Sequence, residues 1–179
     1  MGKRYSTLRN YSRVFFYVFP TLILGLYLLM SFAPKIDPKA ENYKKFQGVF
    51  RGFRILIVLV LAGIYVATLL YALGTPLSIG KVSIFTIGLM LIFVGNYFGK
   101  VRHNYTFGIK TPWTLANEEV WNRTHRVSGP LWVIAGLIWI FSIFFSEKVA
   151  FIIDMTSLGL AVVYGFIYSY WLFNKLKKQ

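Results

Sequence analysis

The stretch Gly108–His125 holds the side chains of this sequence that are best suited to chemistry. It reads GIKTPWTLANEEVWNRTH, with two of the five tryptophans and two of the six acidic residues. Its histidine and the earlier His103 lack the HExxH spacing of a helical zinc site, so no metal site is recognisable. The chain has no cysteine and no serine in a nucleophile elbow, so nothing in it suggests nucleophilic catalysis. The stretch therefore favours binding or coupling over enzymatic activity, and no cofactor is predicted.

Turn and capping residues predict how this stretch folds. Gly108 is a plausible tight-turn position. Pro112 forces Thr111 into an extended conformation. Thr114 or Asn117 is then a suitable helix cap, because either side chain can accept a hydrogen bond from the first turn. The pattern predicts an extended segment followed by a short amphipathic helix.

Two pairs of side chains in this short helix have the i, i+4 spacing at which helical residues meet. Glu119 and Arg123 form one pair, of opposite charge, and Trp121 and His125 form the other. The first pair predicts a salt bridge and the second predicts a stacked or capping histidine. Both pairs indicate that the helix is held as a rigid unit.

The composition of the whole chain indicates what holds this stretch. Of the 179 residues, 56% are hydrophobic and 15% are charged, and the mean hydropathy is +0.57. A soluble domain of this length carries about 25% charged residues. A helix needs about 20 apolar residues to cross a bilayer. Five runs reach or approach that length: Val14–Ala33, Ile55–Gly74, Leu77–Phe98, Pro130–Phe145 and Val149–Phe173.

These runs predict the fold class. The chain is expected to be an all-α, polytopic membrane protein with about five transmembrane helices, and residues 1–179 form a single membrane domain. The chemistry-bearing stretch falls in the loop between helices three and four, where its short amphipathic helix lies. The lipid bilayer is then the first predicted partner.

The basic residues predict the orientation of the chain. A formal charge of +14 also occurs in nucleic-acid-binding proteins, but in a membrane protein basic residues flank the spans, so no nucleic-acid partner is expected. Fourteen of the twenty Lys and Arg residues fall on the face that receives both long connections and the C-terminus. The positive-inside rule makes this face cytoplasmic. The N-terminus is therefore predicted outside a bacterial plasma membrane and the C-terminus inside, although the basic N-terminal tail opposes this.

The connection Pro34–Arg54 is long enough to contain structure of its own. Asp37 and Pro38 are suited to begin a helix there, as its cap and its first helical residue. Four apolar residues follow at helical spacing and predict a stripe that lies on the membrane surface. They are Tyr43, Phe46, Val49 and Phe50.

Three polar residues have more than one interpretation. Lys110 is suited to a cation–π pair with Trp113, to a lipid phosphate, or to anchoring at the membrane interface. Asp154 lies inside the last apolar run, where a carboxylate is either functional or paired structurally, here with Lys148. Asn96 ends the third run and is expected to find a partner on a neighbouring helix.

The arrangement of these residues resembles the SdpI family of bacterial integral membrane proteins. The family pattern is N…N…GxRTPWTL…E…W…TH, and the chain matches it over Leu77–Phe145, with the motif loop at 99–129. One residue departs from the pattern: the family has Arg where this chain has Lys110, so a two-pronged donor becomes a point charge. The matching positions are Asn96, Asn104, Gly108, Lys110, Thr111, Pro112, Trp113, Thr114, Glu119, Trp121, Thr124 and His125.

The resemblance implies a function and a binding or coupling role for the matching residues. Family members protect the producing cell from a secreted peptide toxin, with a signalling role toward a cytoplasmic regulatory protein. Longer relatives have six spans, and this chain is expected to lack the first. The alternative is a small membrane transporter or a lipid-interacting protein. A transporter needs a polar path, and the spans offer only Asp154, Asn96 and scattered Ser and Thr.

Overall fold

The computed structural model describes the backbone of residues 2–178 and the side chains of residues 16–178. Six α-helices and two short 3₁₀ helices, at Ala40–Asn42 and Phe98–Lys100, make up the regular structure of the described part, which contains no strand. The α-helices are α1 (Gly2–Ile36), α2 (Tyr43–Ala72), α3 (Ile79–Tyr97), α4 (Pro112–Ala116), α5 (Glu118–Ser142) and α6 (Glu147–Lys177).

Four helical segments are long and apolar enough to cross a bilayer. They are Phe16–Ile36, Ala40–Ala72, Ile79–Lys100 and Glu147–Lys177. The predicted all-α, multi-pass membrane protein is therefore confirmed. The fifth crossing, by α5, stays a prediction, because the first turns of this helix carry four charged residues and only its second half is apolar.

Helix α5 lies between α3 and α6, and glycines bring it close to α3. A Cβ built on Gly95 would lie 2.6 Å from the Gly129 carbonyl oxygen, and one built on Gly136 would lie 2.6 Å from the Gly88 carbonyl oxygen. No larger residue fits at these positions without separating the backbones. Small residues at a helix interface provide this packing in membranes, where lipid removes the hydrophobic drive for association.

The connection between α1 and α2 differs from the predicted helix. The Asp37 carboxylate does accept the Lys39 amide, at 2.8 Å, but only a 3₁₀ turn follows before α2 begins. The predicted surface stripe also turns inward. Tyr43, Phe46 and Phe50 are buried and pack against residues of the loop between α3 and α4 and of α5, rather than lying on the membrane. The apolar residues do lie on one face of the helix, as their spacing predicted, but this face packs against protein and not against lipid.

The connections divide between the two ends of the bundle. The turn after α2, with Gly74 at φ +91°, and the turn between α5 and α6 lie at one end. At the other end, the connection that follows α1 contacts the loop that follows α3, since Asn42 Nδ2 donates to the His103 carbonyl oxygen at 2.9 Å. The two long connections therefore share one face, as the order of the predicted spans requires. Which face is cytoplasmic stays a prediction.

Candidate functional site

The segment 99–129, called the insert below, is ordered by two helix caps in series. Thr111 is the N-cap of α4 and forms a capping box with Thr114: the Thr111 hydroxyl accepts the Thr114 amide and the Thr114 hydroxyl accepts the Thr111 amide. Asn117 then caps α5 by accepting the amides of Glu119 and Val120 at 2.8 and 3.1 Å. Of the two predicted caps, Asn117 caps α5, whereas Thr114 closes the box of the shorter helix.

His125 lies at the centre of the insert, fully buried and stacked on Trp121 with the ring centroids 4.2 Å apart. Its Nε2 accepts the Ile109 amide at 2.8 Å, so the ring proton lies on Nδ1 and is donated to the Trp121 carbonyl oxygen at 2.8 Å. Burial disfavours the imidazolium and lowers the pKa of His125 to about 4. The ring is thus a neutral structural element that joins the extended segment to α5.

Gly108 is the position at which the extended segment passes over these two rings. Its φ is +124°, a conformation that favours glycine. A Cβ there would collide with Nε2 of His125 and would lie 3.0 Å from the Trp121 ring. The glycine of the motif is therefore required both by the backbone conformation and by the close approach to the rings.

Asn104 is buried and uses both ends of its side-chain amide. Its Oδ1 accepts the amides of Thr106 and Phe107 at 2.9 and 2.7 Å. Its Nδ2 donates to the carbonyl oxygens of Arg102 and Phe107 at 2.8 and 3.0 Å. The Asn104 side chain therefore satisfies backbone amides and carbonyl groups of this loop that have no partner in a helix or strand.

Asp37 contributes to the site, although it was not among the predicted site residues. Its Oδ2 accepts the Tyr43 hydroxyl at 2.8 Å, the Tyr105 amide at 2.8 Å and the Thr106 hydroxyl at 3.0 Å. Burial raises the pKa of this carboxyl, but these donors and the Lys39 amide outweigh it and hold the pKa below its usual value of 3.8. The ionised carboxylate thus fastens the insert to the start of α2.

An aromatic core joins the same two regions. Tyr43, Phe46 and Phe50 pack with Val101 and Trp121 in one buried cluster. The Trp121 indole Nε1 also donates to the Val101 carbonyl oxygen at 3.0 Å, so the ring is both packed and hydrogen-bonded. Sequence periodicity identified the apolar residues of α2 but could not identify the surface that they cover.

Helix α4 is attached to the second half of α6. The Thr111 hydroxyl donates to the Ser169 hydroxyl oxygen at 3.0 Å, and both residues are buried. The Trp113 ring packs edge-on against Phe166 and Tyr170, with centroid distances of 5.0 and 4.9 Å. The insert is therefore held on one side by α2 and on the other by α6.

The charged residues of the motif lie at the surface of the insert. Lys110 is exposed, and its Nζ donates to the carbonyl oxygens of Tyr105 and Thr106 at 3.3 and 3.2 Å. Its ammonium group thus closes the loop, and no cation–π contact with Trp113 is found among the described residues. Glu119 and Arg123 form the predicted salt bridge at 2.6 Å, and both side chains are about half exposed.

Most of the predicted residues come together in the insert, and one does not. Asn96 is exposed on α3 and donates to the Ile92 carbonyl oxygen of its own helix at 3.0 Å, so the expected partner on a neighbouring helix is absent from the described structure.

Thr124 is fully buried, and its hydroxyl has no hydrogen-bond partner among the described residues. Burial, followed by the charge of Lys39, lowers the pKa of His103. The site is a packed clamp, with no converging set of metal ligands in the described part of the chain.

The sequence of the insert and of the helices that follow it is similar to known proteins. Residues 100–169 match the SdpI/YfhL protein family, a region that runs from the start of the insert to Ser169 of α6. Over 160 residues the chain is 28% identical to the Immunity protein SdpI of Bacillus subtilis (strain 168), an alignment that covers 89% of this chain and 75% of that protein. No solved structure matches the chain. The resemblance read from the motif is therefore confirmed over residues 100–169, which run from the insert through most of α6.

Proposed function

We propose that this protein is an SdpI-like immunity protein of a bacterial plasma membrane, without enzymatic activity, that protects the cell from a secreted peptide toxin. The observation that carries the proposal is the identity of 28% to an immunity protein over 89% of the chain. The motif supports it, because its residues within the insert, from Asn104 to His125, form one ordered structure rather than a reactive centre.

The insert is proposed to couple the bundle to a cytoplasmic regulatory protein. It contacts the connection before α2 at Asp37 and α6 through Trp113, so a change in the relative positions of these elements would move it. Its outer surface presents Lys110 and the Glu119–Arg123 pair. This assignment uses the predicted orientation, in which the insert faces the cytoplasm.

Deletion of the gene from its native bacterium tests the immunity function. The deletion strain and its parent are exposed to conditioned medium from the parent, and survival is compared. Lower survival of the deletion strain, restored by a plasmid copy of the gene, supports the proposal. Equal survival of the two strains at every growth stage contradicts it.

A lipid-interacting function is the second candidate, and one cavity favours it. A space of about 530 Å³ lies beneath the insert, walled by Phe53, Phe107, Trp132 and Phe166, with Lys110 at its edge. Apolar walls with one ammonium group suit an acyl chain with an anionic headgroup. Lipids that copurify with the protein, identified by mass spectrometry before and after a Lys110→Met change, test this function.

A further inference from the structure

Asp154 is a buried carboxylate in α6, at the end of the bundle opposite the insert. Asp154 is 2% exposed, and the Ser142 hydroxyl hydrogen-bonds its carboxyl group, but Oδ1 has no hydrogen-bond partner among the described residues. The structural pair with Lys148 is absent, because no ion pair of the described chain includes Asp154. An unpartnered carboxylate oxygen in such a position is costly to retain, and a bound cation would offset that cost.

Asp154 lines a cavity of about 430 Å³ between the starts of α3 and α6 and the end of α5. Glu147 lines the same cavity from the first turn of α6 and is exposed, so it lies at the mouth, whereas Asp154 lies about two turns deeper. Ser83 adds a hydroxyl. The remaining walls are apolar or aromatic and include Trp139 and Phe151.

We propose that this cavity binds a primary ammonium group carried on an apolar chain, with Asp154 as the inner acceptor and Glu147 as the outer one. An ammonium has three donors and no acceptor, which suits the Asp154 carboxylate and the Ser83 hydroxyl, while Glu147, about two turns nearer the mouth, adds negative charge along the entry path. The apolar walls suit the carbon chain that carries it. No group of three or more His, Cys, Asp and Glu side chains converges in the described residues, so the ligand set is better suited to an ammonium than to a divalent cation.

The biological form of this ligand follows from the proposed function, on which this step rests. With the predicted orientation the cavity opens toward the outside of the cell. A toxin peptide that enters the membrane laterally would carry an ammonium group at its N-terminus or on a lysine. The cavity would then be the place at which an apolar, cationic peptide is recognised.

Binding is tested on the purified full-length protein with hexylammonium chloride as the probe. A ligand that binds the folded state raises the temperature of unfolding in a saturable manner. Hexanol, which has the same chain without the charge, and sodium chloride, an inorganic cation, are the matched probes. We expect hexylammonium to stabilise the wild-type protein at concentrations at which neither of the others does.

The variants Asp154→Asn and Glu147→Gln remove one acceptor charge each, and Glu118→Gln removes a surface charge at the opposite end. We expect the half-saturating concentration of hexylammonium to rise about tenfold or more in the first two, a change of at least ~1.4 kcal/mol, and to stay unchanged in the third. If Asp154→Asn does not fold, the exposed Glu147→Gln decides the outcome alone.

Two results overturn the proposal. One is an equal response of the wild type and both cavity variants to hexylammonium. The other is stabilisation by sodium chloride that depends on Asp154 and matches that by hexylammonium, which identifies an inorganic-cation site. The assay contains neither cells nor toxin, so a failed survival experiment leaves the ammonium site intact and a failed titration leaves the immunity function intact.

Discussion

The Asp37 carboxylate accepts a hydrogen bond of 2.8 Å from the backbone amide of Tyr105, although 68 positions separate the two residues in the chain. The same oxygen accepts the hydroxyls of Tyr43 and Thr106. One ionised side chain thus joins the connection before α2 to the loop after α3. Because a carboxylate has only acceptors, all of these donors lose their strongest partner when the charge is removed.

We therefore predict that Asp37→Asn loosens the insert. The loss of charge-assisted hydrogen bonds costs about 1.5–3 kcal/mol. Trypsin should cleave the insert faster in isolated membranes, at Lys110 or Arg123. Glu41→Gln, which alters an exposed acid in the same connection, is the control and should be cleaved at the wild-type rate. An unchanged rate for Asp37→Asn would show that the aromatic core alone holds the insert.

The stabilisation by Asp37 should also depend on pH. Its folded-state pKa is depressed, so the contribution is present above the usual value of 3.8 and is lost as the pH falls through the lower folded-state pKa. Cleavage of the wild-type insert by a protease that is active in acid should therefore become faster in this range. Asp37→Asn should show no such step.

The sequence predicted the helices and the motif well and the contacts between them poorly. Apolar runs and the cap at Asn117 depend on neighbours in the chain, and local patterns report such effects directly. The position of Asp37 against Tyr105 depends on how α2 meets the insert, which no local pattern encodes. For the same reason the stripe of Tyr43, Phe46 and Phe50 was assigned to the membrane surface.

His125 gives a second pH dependence in a different range. The pKa of the folded state is about 4, below the usual value of 6.5, so the folded insert is fully stable above 6.5 and weakens as the pH falls toward 4. Protonation of Nε2 removes the acceptor of the Ile109 amide. Hydrogen exchange at this amide, corrected for the intrinsic pH effect, should therefore rise over this range.

Two variants show which histidine causes the pH dependence of exchange at the Ile109 amide. His103 also has a lowered pKa and titrates in the same direction. His103→Gln should keep the acceleration of exchange, and His125→Gln should remove its pH dependence. Acceleration that disappears with His103→Gln and persists with His125→Gln would assign the switch to the other histidine.

Gly108→Ala should destabilise the insert. The substitution places a Cβ against His125 and Trp121 in a backbone conformation that alanine disfavours, and each such strain costs about 1–3 kcal/mol. The unfolding temperature of the purified protein should fall. Gly99→Ala is the matched control in the same segment, because its nearest neighbour is Arg126 Cα at 3.9 Å. A wild-type unfolding temperature for Gly108→Ala would mean that the loop can pass the rings by another route.

The exposed charges of the insert carry the last prediction, which concerns coupling. If Lys110 and Glu119 face a cytoplasmic partner, their removal should abolish protection while the protein remains at normal abundance. The Glu119–Arg123 pair is exposed, and such pairs contribute only about 0.2–1 kcal/mol to stability. Glu119→Gln should therefore leave the fold intact and lower survival in the toxin assay.

Lys110 needs two variants, because its ammonium also closes the loop on Tyr105 and Thr106. Lys110→Arg keeps the charge and its donors and restores the residue of the family pattern, so it should retain protection. Lys110→Met combined with Glu119→Gln should lose protection. Trypsin cleavage at Arg123 then reports whether the loop has opened. Lys148→Gln, at the other end of the bundle, is the control and should protect as well as the wild type. Full protection by Lys110→Met and Glu119→Gln combined, at matched abundance, would leave the insert as a clamp between α2 and α6 and would exclude its surface from the coupling step.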